Sequence, residues 1–370
     1  MTLAGTRPEL IKLSETIKAA DADARFEHVF VHAGQNRDPA LHDAIIADLG
    51  LRAPDHQLDM TAEAPARAVA RVIDQADRLI EAVRPDACLI LGDTNAALCA
   101  YAAKRRRTPI FHMEAGNRCF DPRVPEEINR RLVDHLADLN LPYTRHARDN
   151  LLAEGFPDAR IVVTGSPMGE VLDAHAAAIA KAEERLSERS PGGHLLVSAH
   201  REETVDDPVA LRALVDALDA LADRFGLPIL VTGHPRLRLR LDGAGLSPAS
   251  PLVTIASPFG FHDWIALQKT AACVISDSGT LSEEAALLGF PAVMIRDRHE
   301  RPEGEEAHVF TRAALSPLTL PAVVADVMAG RRPAPTMPAD YRPRDVSARV
   351  LDLIAAWTPR IAASIALGRS

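Results

Sequence analysis

Apolar runs of about four residues alternate with longer stretches of helical periodicity from one end of the chain to the other. Such runs, bounded by polar clusters, predict strands at Val29–His32, Cys88–Leu91, Ile110–Met113, Ile161–Thr164, Leu195–Ser198, Ile229–Thr232, Cys273–Ser276 and Ala292–Ile295. Strand and helix in steady alternation imply an α/β fold, in which parallel strands are buried beneath helices on both faces. The spacing predicts a helix over Pro125–Ala137, opened by a proline in its first turn. Ile128, Leu132 and Leu136 fall at i, i+4 and i+8, which reads as one apolar face opposite one charged face. Only Met1–Ala4 precede Gly5, fewer residues than an average strand holds, so the first strand is either short or begins upstream.

At 370 residues the chain exceeds one ordinary core and suits two domains. Residues 172–193 hold no strand pattern, rise in charge and end in Pro-Gly-Gly. The division expected is 1–168 for a first α/β domain and 169–344 for a second. A Pro-rich stretch at 331–343 then leads to a helix over about 345–368 that packs back on the first domain.

Composition narrows the function. A formal net charge of −9 excludes a nucleic-acid binder that relies on a broad basic surface, and leaves room for a local phosphate pocket. No stretch of about 18 apolar residues is present to span a membrane, and no secretory leader is evident, so a cytoplasmic protein is expected. Four cysteines, Cys88, Cys99, Cys119 and Cys273, lie in or beside apolar runs without metal-ligand spacing, and read as core residues in a reducing compartment.

The chemistry collects where strands end. GTRPE (5–9), HAGQN (32–36), GDTN (92–95), HMEAGNR (112–118), TGSP (164–167), SAHREE (198–203), TGHP (232–235), SDSGT (276–280) and RDRHERPE (296–303) each follow an apolar run. Ligands of open parallel sheets bind outside the carboxyl ends of the strands, so these clusters point to one interdomain cleft. Polar loops explain the Gly, Asn and Ser content; the recurring His, Asp, Glu and Arg ask for a site. Asp93, Glu114, Glu126 and His200 are candidate acid–base groups, since carboxylates gathered in a closed cleft raise one another's pKa and divide acid from base. For Glu126 and Glu127 helix-end charge compensation is an equal alternative. Thr6 to Glu9 has capping-box spacing, and the helix start beside Arg7 could receive an anion. Ser278-Gly279-Thr280 before Glu283 and Glu284 repeats that design, and two such starts suggest a diphosphate. His234, before Pro235 and Arg236, reads as a phosphate contact.

No GxGxxG follows the first strand, and YxxxK, GxxxxGK[ST] and HExxH are missing, so bound NAD, a P-loop and a zinc hydrolase find no support. The DAD at 21–23 has the form of a metal motif but sits at a helix tail among alanines.

As a set, GTRPELIK, GDTNAAL, HMEAGNR, PEEINRR, SAHREE, TGHPR and SDSGTLSEEA resemble the non-hydrolysing UDP-N-acetylglucosamine 2-epimerases, in that family's order and across residues 5 to about 303. The resemblance implies a GT-B-like pair of Rossmann-like domains, usually a homodimer, acting on a UDP-N-acetylhexosamine with neither cofactor nor metal. It implies that UDP leaves C1 as the C2 proton is removed, giving a 2-acetamidoglycal. Reprotonation on the other face and return of UDP complete the epimerisation. By matching positions, Asp93, Glu114, Glu126 and His200 form the acid–base set. Arg7, Lys12, Arg118, His234, Ser278, Gly279 and Glu284 bind substrate, Glu284 through the ribose. Uracil meets groups around Phe259–Trp264, and Arg118, Arg123, Arg130 and Arg131 balance the acids, some of them through structural pairs alone. Gly34-Gln35-Asn36, Thr280, NRCFD and HERPEGEE depart towards the branch that forms UDP-N-acetyl-L-fucosamine. That branch, and in another class a GT-B glycosyltransferase, are the alternatives to UDP-N-acetylglucosamine epimerisation.

Overall fold

The computed structural model describes residues 1–34, 39–62, 64–187 and 193–367, and for 39–42 the backbone alone. Gln35 and Asn36 lie outside the described residues. One compact unit comprises Met1–Ala174 with the C-terminal segment from Asp340, and the other comprises His175–Ala339.

The first unit holds β1 (Thr2–Ala4), β2 (Phe30–His32), β3 (His56–Gln57), β4 (Cys88–Leu91), β5 (Ile110–Met113) and β6 (Leu139–Leu141). The second holds β7 (Leu195–Ser198), β8 (Ile229–Thr232), β9 (Val253–Ala256), β10 (Cys273–Ser276), β11 (Ala292–Met294) and β12 (Thr311–Arg312). Their orders are β3-β2-β1-β4-β5-β6 and β12-β11-β10-β7-β8-β9, and every pairing is parallel. Both sheets thus reverse direction once, between β1 and β4 and between β7 and β10, which is where a doubly wound sheet opens a crevice for a ligand. The central strands β4, β5, β7 and β10 are buried at every residue, as strands covered on both faces must be.

The apolar runs predicted five strands to the residue and two more within one residue. Ile161–Thr164 is corrected. Ile161 makes only an isolated bridge to Asn140, the Thr164 N–H goes to the Pro142 carbonyl, and Gly165 then turns the chain at φ +87°. β3, β6, β9 and β12 escaped the pattern; all four are sheet edges, and three of them are very short or only partly buried, so nothing forces the continuous apolar run of a strand covered on both faces.

The helix Pro125–Leu136 reverses its expected orientation. Ile128 and Leu132 are about half exposed, at 52% and 50%, whereas Glu127, Arg130, Val133 and Asp134 are buried. Its inner face meets the polar loops after β4 and β5, so the counter-charges those loops require sit inside. The C-terminal helix Val346–Ala366 joins the first unit, with the Thr16 and Ser347 hydroxyls 3.2 Å apart and Glu170 accepting from the Ser347 N–H at 2.9 Å.

Candidate active site

In the first unit the helix Arg7–Ala22 organises the strand ends. Its capping box is formed, and Glu9 Oε2 accepts the N–H groups of Gly5 at 2.6 Å and Thr6 at 2.7 Å. The helix start that the sequence offered to an anion is therefore engaged in part by the chain's own carboxylate. Glu9 Oε1 takes the Thr94 hydroxyl at 2.7 Å, tying β1 to the loop after β4 across the switch point. Burial pushes the Glu9 carboxyl up to about 7, against the hydrogen bonds from Thr94, Gly5 and Thr6 that favour its charged form. Arg7, half-buried, is the first residue of this helix.

One turn further, Lys12 Nζ lies 2.8 Å from Glu114 Oε2, both side chains largely buried. The Glu114 N–H closes the ladder to Leu141, then the chain turns left-handed at φ +63° and swings the carboxylate onto Lys12. For a residue with a Cβ that conformation costs about 1 kcal/mol, and strain of this kind gathers at functional sites. Gly116, at φ +78°, is required here, because a Cβ would stand 2.2 Å from the Ala147 carbonyl oxygen.

Asp93 follows β4. Its Oδ2 receives Arg130 Nη2 at 2.6 Å and Nε at 2.9 Å, while Asn129 Nδ2 holds the Asp93 carbonyl at 3.0 Å. The two acids in the first turn of Pro125–Leu136 differ: Glu126 is half-buried, whereas Glu127 is buried and accepts from Cys119 N, Arg130 and Arg131. Glu127 is thus a structural counter-charge. Arg118, expected among the substrate contacts, points inward, with Nη1 2.8 Å from Asp134 and Nη2 2.5 Å from Glu154. Arg131 bridges Glu127 and Glu154, and Arg123 pairs with Asp121 at the surface. The DAD segment is likewise paired, Asp21 with His28 and Arg52, and Asp23 with Arg25.

In the second unit His200, His234, Ser278 and Gly279 all follow strands, with Glu284 in the first turn of Leu281–Leu288. Across the switch point, Asp277 Oδ2 accepts the N–H groups of His200 at 2.9 Å and Arg201 at 3.0 Å, and its Oδ1 lies 3.1 Å from His200 Nδ1. Burial alone would raise the Asp277 carboxyl; the His200 ring and the two N–H groups outweigh it and hold the group well below the usual carboxylate range. The His200 and His234 rings stand 5.6 Å apart, centroid to centroid. Ser278 shares a hydrogen bond with Thr280 at 3.0 Å, and Glu300 packs against Gly279, its Oε1 2.4 Å from where a Cβ would stand. Glu284, buried, accepts from Gln268 Nε2 at 2.5 Å.

Sequence reading missed Glu9 as a link between strand ends, Asp277 beneath His200 and Gln268 beside Glu284. Asp277 carried a signal, since it sits inside SDSGT, one residue past a buried strand. Gln268 carried none, being one of several polar residues on the helix Phe261–Thr270. Among the described residues no group of three or more metal-ligating side chains converges. No described helix is long and apolar enough to cross a membrane.

Known proteins resemble the chain in sequence and in fold. A family model described as UDP-N-acetylglucosamine 2-epimerase matches residues 18–355. The UDP-2,3-diacetamido-2,3-dideoxy-D-glucuronate 2-epimerase of Pseudomonas aeruginosa is 34% identical over 302 residues, 81% of this chain and 84% of that protein. A solved UDP-N-acetylglucosamine 2-epimerase from Rickettsia bellii is 38% identical with a TM-score of 0.88, covering 98% of this chain and 97% of its own. The Methanocaldococcus jannaschii UDP-GlcNAc 2-epimerase, solved with UDP-GlcNAc and UDP, is 26% identical with a TM-score of 0.90, covering 96% of this chain and all (100%) of its own. The two Rossmann-like sheets are thus those of a GT-B-like fold. The chain belongs to the UDP-N-acetylglucosamine 2-epimerase family.

Proposed function

We propose that this protein inverts C2 of UDP-N-acetylglucosamine to give UDP-N-acetylmannosamine, without releasing free sugar. The observation that carries the reading is the likeness, at a TM-score of 0.90 over 96% of the chain, to an epimerase solved with UDP-GlcNAc and UDP. The C2 hydrogen has no neighbouring carbonyl to acidify it, so UDP leaves C1 as the C2 proton is taken. Protonation of the glycal on its opposite face and re-addition of UDP restore the atom balance. Asp93, Glu114, Glu126 and His200 supply the acid–base groups. Arg130 and Lys12 pair with Asp93 and Glu114 and orient them. Arg7, His234, Ser278 and Gly279 hold the diphosphate, and Glu284, steadied by Gln268, holds the ribose. Arg118, paired with Asp134 and Glu154, supports the loop after β5 instead of touching substrate.

The test is NMR of the purified protein with UDP-N-acetylglucosamine in D2O. Deuterium at C2 together with UDP-N-acetylmannosamine supports the reading. Transfer of the sugar to an acceptor with release of UDP, and no C2 exchange, would instead indicate a glycosyltransferase. A second reading, the same chemistry on another UDP-2-acetamido sugar, is favoured by the 34%-identical relative that bears a diacetamido-glucuronate name. Exchange with that nucleotide sugar alone would establish it.

We further propose a homodimer in the cytoplasm. Ile128 and Leu132 present apolar side chains outward from one helix, with Tyr101, 49% exposed, on the neighbouring helix Ala100–Arg105; paired apolar surface of this kind marks a protein interface. All four cysteines are free and buried, which suits a reducing compartment.

A further inference from the structure

His200 and His234 follow the adjacent strands β7 and β8, and each ring turns its Nδ1 to a different kind of partner, for His200 an ion-pair contact short of hydrogen-bond alignment. His200 Nδ1 faces the Asp277 carboxylate at 3.1 Å. That carboxylate is fully buried and anchored by two backbone N–H groups, so it acts only as an acceptor. His234 caps the helix Pro235–Ala244, and its Nδ1 accepts the Arg236 N–H at 3.3 Å. A ring nitrogen that accepts a hydrogen bond carries no proton. From these two contacts we infer that the neutral rings are held in opposite tautomers: His200 with its proton on Nδ1, presenting the Nε2 lone pair, and His234 with its proton on Nε2, presenting a donor.

Asp277 is then a positioning residue, which acts through His200. The pair offers one proton acceptor and one proton donor side by side, the rings 5.6 Å apart. His200 Nε2 can receive a proton directly. His234 can donate to a phosphoryl oxygen while uncharged, because protonating its Nδ1 would forfeit the helix cap. This deepens the epimerase reading and rests on it for the ligand, whereas the tautomers stand on geometry alone. A neutral donor suits a phosphoryl oxygen; a lone pair suits the migrating proton.

The experiment is long-range 15N–1H NMR of the full-length protein labelled at histidine, at about pH 9, where imidazole is neutral. His200→Gln and His234→Gln identify the two rings among the 14 histidines. Nδ1–H at His200 with Nε2–H at His234 supports the inference; Nε2–H at His200, or one tautomer shared by both, overturns it. Asp277→Asn should keep the backbone contacts through its amide oxygen and turn its NH2 towards His200, forcing Nε2–H. Turnover should then fall about a hundredfold or more with KM within about threefold, as when a histidine loses its orienting carboxylate. Turnover within about threefold of wild type overturns the positioning role. If that variant fails to fold, the wild-type spectrum decides. C2 exchange is read on the same wild-type sample with UDP-N-acetylglucosamine and with the diacetamido-glucuronate nucleotide sugar, so a protein with the inferred tautomers and exchange of neither would overturn the epimerase reading and leave the histidine pair standing.

Discussion

Lys12 and Glu114, separated by 102 residues, meet at 2.8 Å, and that contact holds a glutamate in a left-handed backbone conformation at the end of β5. The same helix carries Glu9 one turn earlier, bonded to Thr94 beside Asp93. One helix face therefore sets the positions of two of the candidate acids, and the first predictions concern that face.

Removing one partner of a buried ion pair leaves the other charge uncompensated, at about 3–5 kcal/mol. Lys12→Met should lower the unfolding free energy in urea by about 3 kcal/mol, and Lys12→Met with Glu114→Gln should regain at least half of that loss. A neutral single variant would show that the pair contributes little to holding the turn.

Asp93→Asn keeps the shape of the side chain and removes its charge. Arg130 retains Glu127 at 3.2 Å, so the fold should persist, with the melting temperature within about 4 °C of wild type. Loss of an acid–base group should reduce turnover about a hundredfold or more. Wild-type turnover in this variant, followed by C2 exchange, would remove Asp93 from the acid–base set.

Glu9 gives stability a pH dependence of definite sign. Its carboxyl rises from 4.5 to about 7 in the folded protein, so folding favours the protonated form. This contribution is fully present below about pH 4.5 and is lost as pH rises through about 7; in all it is on the order of 3 kcal/mol. Protonation at Oε1 also reverses the Thr94 hydrogen bond, letting that hydroxyl accept. In Glu9→Gln, urea unfolding followed from pH 4.5 to 8 should lack this decline. An identical profile in variant and wild type would mean that Glu9 titrates normally.

Ile128→Asp with Leu132→Asp changes two half-exposed side chains and should leave the fold intact. Light scattering should give a dimer for the wild type and a monomer for the variant. A monomeric wild type, or a variant that stays dimeric, would place no interface on this helix.

The alternation of apolar runs with helical stretches sufficed for the architecture, because strands buried on both faces must be apolar throughout. Cys88–Leu91, Ile110–Met113 and Leu195–Ser198 show this. Edges such as His56–Gln57 were invisible, since a strand half in water has no such need. The polar clusters were legible as strand ends, and a parallel sheet places the ends within each unit on one side whatever the loops contain.

What the sequence alone determined is the fold class, the ends of the strands that carry the site, and the residue types gathered there, all of them consequences of local periodicity. Tertiary structure decided which charges are counter-charges and which are poised for chemistry. The periodicity of Pro125–Leu136 is legible in the sequence, but whether Ile128 or Arg130 faces inward depends on what it packs against. There the polar loops after β4 and β5 outweighed the apolar stripe. Arg118 and Arg130 look alike in sequence, yet one is turned to Asp134 and Glu154 inside the unit and the other to Asp93 at a strand end. Asp277 beneath His200, and Glu9 against Thr94, are contacts across the sheet's switch point. They join residues 77 and 85 positions apart, and only the folded chain brings such groups within hydrogen-bonding distance.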